Sequence, residues 1–130
     1  MVQEQNHKRA LVLPGGGGRG AYQVGVAKAL LQRGIKFDYA FGTSIGGLNA
    51  MLIAQNDIGR LEELWCTLKP RDVYKLPSAQ LIGNMVMGQK LGLLDTSPME
   101  TLLKREIDLQ KLKMSTTKFG VFTTDLCSLS

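Results

Sequence analysis

Phe37-Asp-Tyr-Ala-Phe-Gly42-Thr-Ser44-Ile-Gly46-Gly-Leu-Asn-Ala-Met-Leu-Ile-Ala54-Gln55 runs from a short apolar and aromatic stretch, through two glycines flanking a serine, into a segment that is apolar almost all round. Residues 37–41 read as a strand ended by Gly42. Residues 44–55 read as a helix, and with Ile45, Leu48, Ala50, Met51, Leu52, Ile53 and Ala54 distributed on every side it must be a buried one. Gly42-Thr43-Ser44-Ile45-Gly46 is thus a G-x-S-x-G at a strand-to-helix junction. A serine there sits on a tight turn that pushes its hydroxyl into solvent, and glycines two positions either side remove side chains that would collide with the strained backbone. The helix that follows directs its positive end at charge developing near the serine. A capped turn has the same five letters; the strand-turn-helix context is what points to nucleophilic catalysis.

Upstream, Arg9-Ala-Leu-Val-Leu-Pro14 is a second buried strand, ending in Gly15-Gly-Gly-Gly-Arg19-Gly20. From Ala21 to Gln32 apolar residues (Ala21, Val24, Ala27, Leu30, Leu31) recur at helical spacing and stop at Arg33-Gly34. Two strand-to-helix units in succession imply a parallel, helix-covered sheet with the loops after each strand at one edge. Consecutive glycines let several N–H groups converge on a phosphate or on the oxyanion of an acyl-transfer intermediate. Gly15, Gly17 and Gly20 satisfy the dinucleotide fingerprint G-x-G-x-x-G, with Asp38 about 20 residues downstream. That acid should close the second strand, however, and Asp38 opens it; the far end carries Ser44. No Lys-Ser or Lys-Thr follows the glycines, which excludes a Walker loop.

The remaining chain reads as a helix over 60–68 (Leu61, Leu64, Trp65, Leu68) closed by Lys69-Pro70, and a helix opened by Ser97 as N-cap, Pro98 at the first position and Glu100 completing a capping box. Leu102, Leu103 and Ile107 form the expected buried face of the latter. A third strand is expected over 118–124. The stretch Leu81 to Leu94, with Met85 and Met87, suits a core or an acyl-accepting groove.

With 130 residues, 44% hydrophobic, the chain has the composition of one modest globular core. Its net charge of +5 comes from scattered lysines and arginines, with no arginine-rich run and no interleaved aromatics, so no nucleic-acid partner is expected. Cys66 and Cys127 fit neither a metal spacing nor a disulfide framework, which favours a reducing, cytoplasmic compartment, and no metal is expected. No apolar stretch approaches the roughly 20 residues a spanning helix needs, so any membrane contact is expected to be peripheral. The one histidine, His7, lies in a polar leader on the wrong edge of the sheet for a Ser-His-Asp triad. A base for Ser44 would then be a carboxylate acting directly on it, or a residue absent from this sequence.

Gly15-Gly-Gly-Gly-Arg-Gly20 together with Gly42-Thr-Ser-Ile-Gly-Gly-Leu-Asn-Ala50 resembles the patatin-like phospholipase family, whose lipid acyl hydrolases use a Ser-Asp dyad without histidine. Gly92-Leu-Leu-Asp-Thr-Ser-Pro98 and Phe122-Thr-Thr-Asp-Leu126 are similar to bacterial members. The resemblance implies a three-layer α/β/α fold with a mostly parallel sheet. It makes Ser44 the nucleophile, Gly16, Gly17 and Gly18 the oxyanion hole, and Gly15, Gly20, Gly42 and Gly46 the motif glycines. Arg19 would hold the loop or meet an anionic head group. A phospholipid or other acyl-ester lipid would be the substrate, with no metal or organic cofactor. The family's dyad aspartate stands in an Asp-Gly-Gly or Asp-Gly-Ala motif, and no Asp-Gly occurs in this sequence. Asp125 matches a recurrent position near the third strand rather than the dyad; Asp72, Asp95 and Asp108 are expected to cap helices or face solvent. Residues 1–7 are accordingly read as a leader and 8–130 as the N-terminal portion of a single domain, with an incomplete sheet and no activity by itself. Two alternatives stay open: a nucleotide-binding module using Gly15 to Gly20, and a non-catalytic lipid-binding or interaction protein.

Overall fold

The computed structural model describes residues 7–75 and 96–123. The readings of the leader before His7, of the methionine-rich stretch 81–94, and of Asp95, Asp125 and Cys127 lie outside those residues. The chain divides into two compact units, one drawing on Met1–Cys66 and Asp108–Ser130, the other on Thr67–Ile107.

The first unit is α/β. Strands β1 (Ala10–Leu13), β2 (Tyr39–Gly42) and β3 (Lys118–Val121) pair in parallel in the order β1-β2-β3. Leu13 lies beside Gly42, and Gly42 beside Val121. Parallel strands in this register end together, so the segments after β1, β2 and β3 leave from one edge, with the β2 exit in the middle.

Each strand is four residues, shorter than its apolar run, for reasons visible at both ends. Pro14 has no N–H to give to a ladder. Asp38 spends its carboxylate on the Arg9 N–H (2.9 Å) and on Lys8 Nζ (3.0 Å). The Asp38 N–H donates to the Arg9 carbonyl at 2.8 Å, and the Lys118 N–H donates to the Asp38 carbonyl at 2.8 Å. Asp38 therefore ties the three strands together at their amino-terminal edge. At the other edge the Phe122 N–H reaches the Gly42 carbonyl at 3.0 Å, so the ladder ends near Phe122 and not at Thr124.

Between the strands run α1 (Gly20–Gln32), α2 (Ile45–Ala54) and α3 (Ile58–Thr67). On α1, Val24 and Ala27 are buried, but Ala21 is exposed and Gly20 joins the inward face in its place. The helix stops as its sequence indicated: Gly34 adopts φ 77°, and the Gly34 and Ile35 N–H groups close on the Leu31 and Leu30 carbonyls. All ten residues of α2 are buried, the outcome its all-round apolarity required. Ile45, Leu48, Met51 and Leu52 are at most 2% exposed, each contributing on the order of 2 kcal/mol of transfer free energy. Asn56, at φ 57°, ends α2 in the same manner as Gly34 ends α1, with Asp57 N–H bonded to the Leu52 carbonyl. Helix α3 begins two residues before the expected Arg60, because the Asp57 carbonyl accepts the Leu61 N–H. Leu61 and Leu64 are its buried residues.

Further along are α4 (Ser97–Glu106), in the second unit, and α5 (Leu109–Met114), a short helix in the first. The start of α4 corrects the capping-box reading. Ser97 is already helical, Thr96 precedes it without a side-chain cap, and Pro98 falls one position late. Glu100 turns instead to Lys104, four residues on, at 2.6 Å. Ile107 lies past the helix and is exposed, while Leu102 and Glu106, one turn apart, are its buried residues; Glu106 bonds Arg105 at 2.9 Å. Asp108 caps α5, accepting from the N–H groups of Gln110 and Lys111. Asp72 accepts the Lys69 N–H at 2.8 Å. Both aspartates thus cap turns or helices, as expected.

Candidate active site

The turn out of β2 holds one of the two non-glycine residues of positive φ among the described residues. Ser44 sits at φ 54°, ψ −127°, a conformation that costs a non-glycine residue about 1–3 kcal/mol and is found where the surroundings enforce it. The two flanking glycines supply the enforcement. A Cβ on Gly42 would lie 2.1 Å from the Gly46 carbonyl oxygen, inside the first turn of α2. A Cβ on Gly46 would lie 2.2 Å from the Leu13 carbonyl oxygen, at the end of β1. Strand, turn and helix close on one another only because both positions lack side chains. Ser44 is exposed and its side chain caps no helix N–H, so its hydroxyl stands free at the mouth of α2, where the helix dipole favours negative charge.

The glycine loop lies against this turn. A Cβ on Gly15 would be 3.3 Å from Ser44 Cβ and 4.0 Å from Ser44 Oγ. Gly16 takes φ 155° and Gly17 φ 57°, and residues 17–19 form a 3-10 turn that leads straight into α1. A Cβ on Gly18 would touch nothing within 4 Å, and its φ is not positive. Nothing within the fold requires a glycine at 18; open approach to the backbone N–H is what it leaves. The Arg19 side chain passes close to Gly16, its Cβ 3.5 Å from where a Gly16 Cβ would stand. Gly20 is a packing glycine: a Cβ there would come within 2.5 Å of the Trp65 ring and 3.2 Å of Ile45.

These placements bear on the alternatives raised by the sequence. Asp38 is engaged at the amino-terminal edge of the sheet, opposite the glycine loop, where it cannot meet a ribose bound at that loop. His7 likewise precedes β1, at the edge away from Ser44. The eight described carboxylates are all committed within their own surroundings: Asp38, Asp72 and Asp108 as above, Asp57 with Lys111, Glu62 with Lys28, Glu63 with Arg60, Glu100 with Lys104 and Glu106 with Arg105. Among the described residues there is no group of three His, Cys, Asp or Glu side chains placed to hold a metal ion. No described helix is long and apolar enough to cross a membrane.

A sequence model of the family described as Patatin-like phospholipase matches residues 11–128. The chain belongs to the patatin-like phospholipase family. Among curated relatives, this patatin-like chain is 56% identical over 46 residues to "Lysophospholipase nte1" of Aspergillus terreus, 35% of the chain and 3% of the relative. It is 52% identical over 46 residues to "Patatin-like phospholipase domain-containing protein 7" of Rattus norvegicus, again 35% and 3%. To "Lysophospholipase NTE1" of Mycosarcoma maydis it is 42% identical over 67 residues, 42% of the chain and 4% of the relative. The chain thus spans only a few per cent of the length of these relatives. No solved structure matches it.

One buried polar side chain links the three helices around this turn. Asn49, fully buried in α2, bonds to α1 and to Trp65 of α3. The signal was present: Asn49 is the one polar side chain between Ile45 and Ala54, and a buried amide needs partners.

Proposed function

We propose that the chain carries the nucleophile and oxyanion-binding loop of a serine-dependent lipid acyl hydrolase acting on phospholipids or lysophospholipids. The observation that carries the reading is the strained, exposed Ser44 at the mouth of α2 with the glycine loop packed against it. Ser44 Oγ attacks the ester carbonyl; its proton passes to a carboxylate general base, and none of the eight described carboxylates is hydrogen-bonded to Ser44. The carbonyl oxygen, now negative, is received by N–H groups of Gly16, Gly17 and Gly18, donors that need no reorganisation as charge develops. Collapse of this intermediate expels the lysolipid or glycerol alcohol, which takes back the proton. Water then attacks the acyl-serine by the same route and releases the fatty acid. No metal or organic cofactor takes part.

The names of the relatives favour a lysophospholipid or phospholipid substrate. Arg19 in the loop and the net charge of +5 suit an anionic head group and peripheral contact with a membrane surface on the cytoplasmic side. The test is hydrolysis of a short-chain nitrophenyl ester by the intact protein. Ser44→Ala should abolish it, along with covalent labelling by a fluorophosphonate; undiminished hydrolysis by Ser44→Ala would remove the nucleophile. Nucleotide titration discriminates the rival reading, since NAD or ATP binding at the glycine loop would survive the serine substitution.

A further inference from the structure

Asn49 lies five residues past Ser44, with no exposed surface, in a helix otherwise made of apolar residues and glycine. Burying an amide is costly unless each of its groups finds a partner, and here each does. Trp65 Nε1 donates to Asn49 Oδ1 at 2.8 Å. An indole nitrogen only donates, so the oxygen of Asn49 must face Trp65 and the NH2 must face α1. Its two hydrogens go to the Gly20 carbonyl at 3.0 Å and to Gln23 Oε1 at 2.9 Å. With its own oxygen accepting, Gln23 directs its NH2 to the Pro14 carbonyl at 2.7 Å. The donors therefore run in one direction, from Trp65 through Asn49 and Gln23 to Pro14.

The two backbone carbonyls at which this relay arrives, Pro14 and Gly20, are the residues on either side of Gly15 to Arg19. Between them stand four exposed glycines, the residue with most conformational freedom to lose. The loop has little side-chain packing of its own: a Cβ on Gly17 or Gly18 would meet nothing. Its conformation is fixed at its ends, and both ends are tied to the helix that begins at Ser44.

We infer that Asn49 and Gln23 are positioning residues for the glycine loop, holding its N–H groups in register with the Ser44 hydroxyl. The inference rests on the hydrolase reading for its effect on turnover, but its structural content does not depend on that reading. Two substitutions test it in the intact protein. Asn49→Asp keeps the shape and the bond from Trp65, but an ionised carboxylate donates nothing to Gly20 or Gln23. Gln23→Met, at a half-buried site, removes the tie to Pro14 and one of the two bonds from the Asn49 NH2, leaves Asn49 joined to Gly20 and Trp65, and is the safer variant for folding.

Amide hydrogen exchange at Arg19 and Gly20, whose N–H groups bond to carbonyls of the loop, should quicken about tenfold or more in both variants. Turnover of the nitrophenyl ester, counted per fluorophosphonate-titrated site, should fall about 10- to 100-fold in kcat with KM unchanged, the penalty of displacing a preorganised group by an ångström or less. A network that only filled the core would lower the melting temperature and leave kcat per titrated site and loop exchange as they were. That result in Gln23→Met overturns the inference. Hydrolysis retained by Ser44→Ala would remove the nucleophile instead, and loop exchange would still decide whether the relay holds the loop.

Discussion

The ring of Trp65 fills the space that any side chain at Gly20 would need, its Cζ2 atom 2.5 Å from where a Cβ would stand. The last glycine of the G-x-G-x-x-G pattern is therefore answered by a tryptophan 45 positions later in the sequence, with no phosphate involved. Gly20→Ala should cost about 1–3 kcal/mol by overpacking, and much less once Trp65 is leucine. A double-mutant cycle in urea should show about 1 kcal/mol or more of coupling. Strict additivity would mean that something other than the indole sets the constraint.

Gly42 and Gly46 face backbone, which cannot swing aside as a ring can. Gly42→Ala and Gly46→Ala should each destabilise by at least about 2 kcal/mol, or prevent folding. Gly18→Ala, with nothing near its Cβ, should change stability by less than about 0.5 kcal/mol, yet should lower ester hydrolysis by crowding the loop. Urea midpoints at unchanged m-value separate the two classes. A mild Gly46→Ala would contradict the close approach to Leu13.

Ser44 supports a third comparison. Ser44→Ala keeps a Cβ in the strained conformation, whereas Ser44→Gly relieves it. Allowing for glycine's greater freedom in the unfolded chain, Ser44→Gly should be about 1 kcal/mol more stable than Ser44→Ala. Both should be inactive. If glycine is the less stable of the two, the turn stores no strain.

The amino-terminal edge of the sheet should respond to pH in a defined sense. The Arg9 N–H, and then the Lys8 side chain, hold the Asp38 carboxyl below its ordinary value of 3.8. The same pairing raises Lys8 above 10.5. A carboxyl lowered by folding stabilises above its ordinary value, and that contribution is lost as the pH falls through the folded one. A lysine raised by folding stabilises below its ordinary value and loses the contribution as the pH rises through the folded one. The stability gap between wild type and Asp38→Asn should hence be flat from about pH 5 to 9 and close in acid. It should be modest and partly screened by salt, since both groups are exposed. A gap that stays constant to about pH 2 would show that the carboxylate contributes nothing through its charge.

The parallel sheet, the buried character of α2 and the stop at Gly34 were legible because each rests on local chemistry: apolar period, strand length, a glycine able to turn left-handed. The elbow was legible for the same reason, its two glycines having a steric meaning that five consecutive residues express. The start of α4 was misread because Glu100 had two partners within reach, and Lys104 one turn on took the carboxylate that a capping box needs. That Asn49 needs partners was legible from its place in an apolar helix; that those partners are Gln23 and Trp65 depends on three helices meeting, a fact no single window of sequence contains. Gly20 was ambiguous from the same cause.

The relay from Trp65 to Pro14, the elbow and the glycine loop share one property of order in time. All of them lie between Pro14 and Trp65, whereas the strand that completes the described sheet begins at Lys118. At synthesis rates of about 5–20 residues per second, the intervening roughly fifty residues take a few seconds to appear. Short-range closures of this kind form in microseconds to milliseconds. On the ribosome, the elbow, the glycine loop and the relay that joins them thus have all of their residues before β3 exists, whereas the general base is not among them, and β3 is added beside a turn whose own parts are already made.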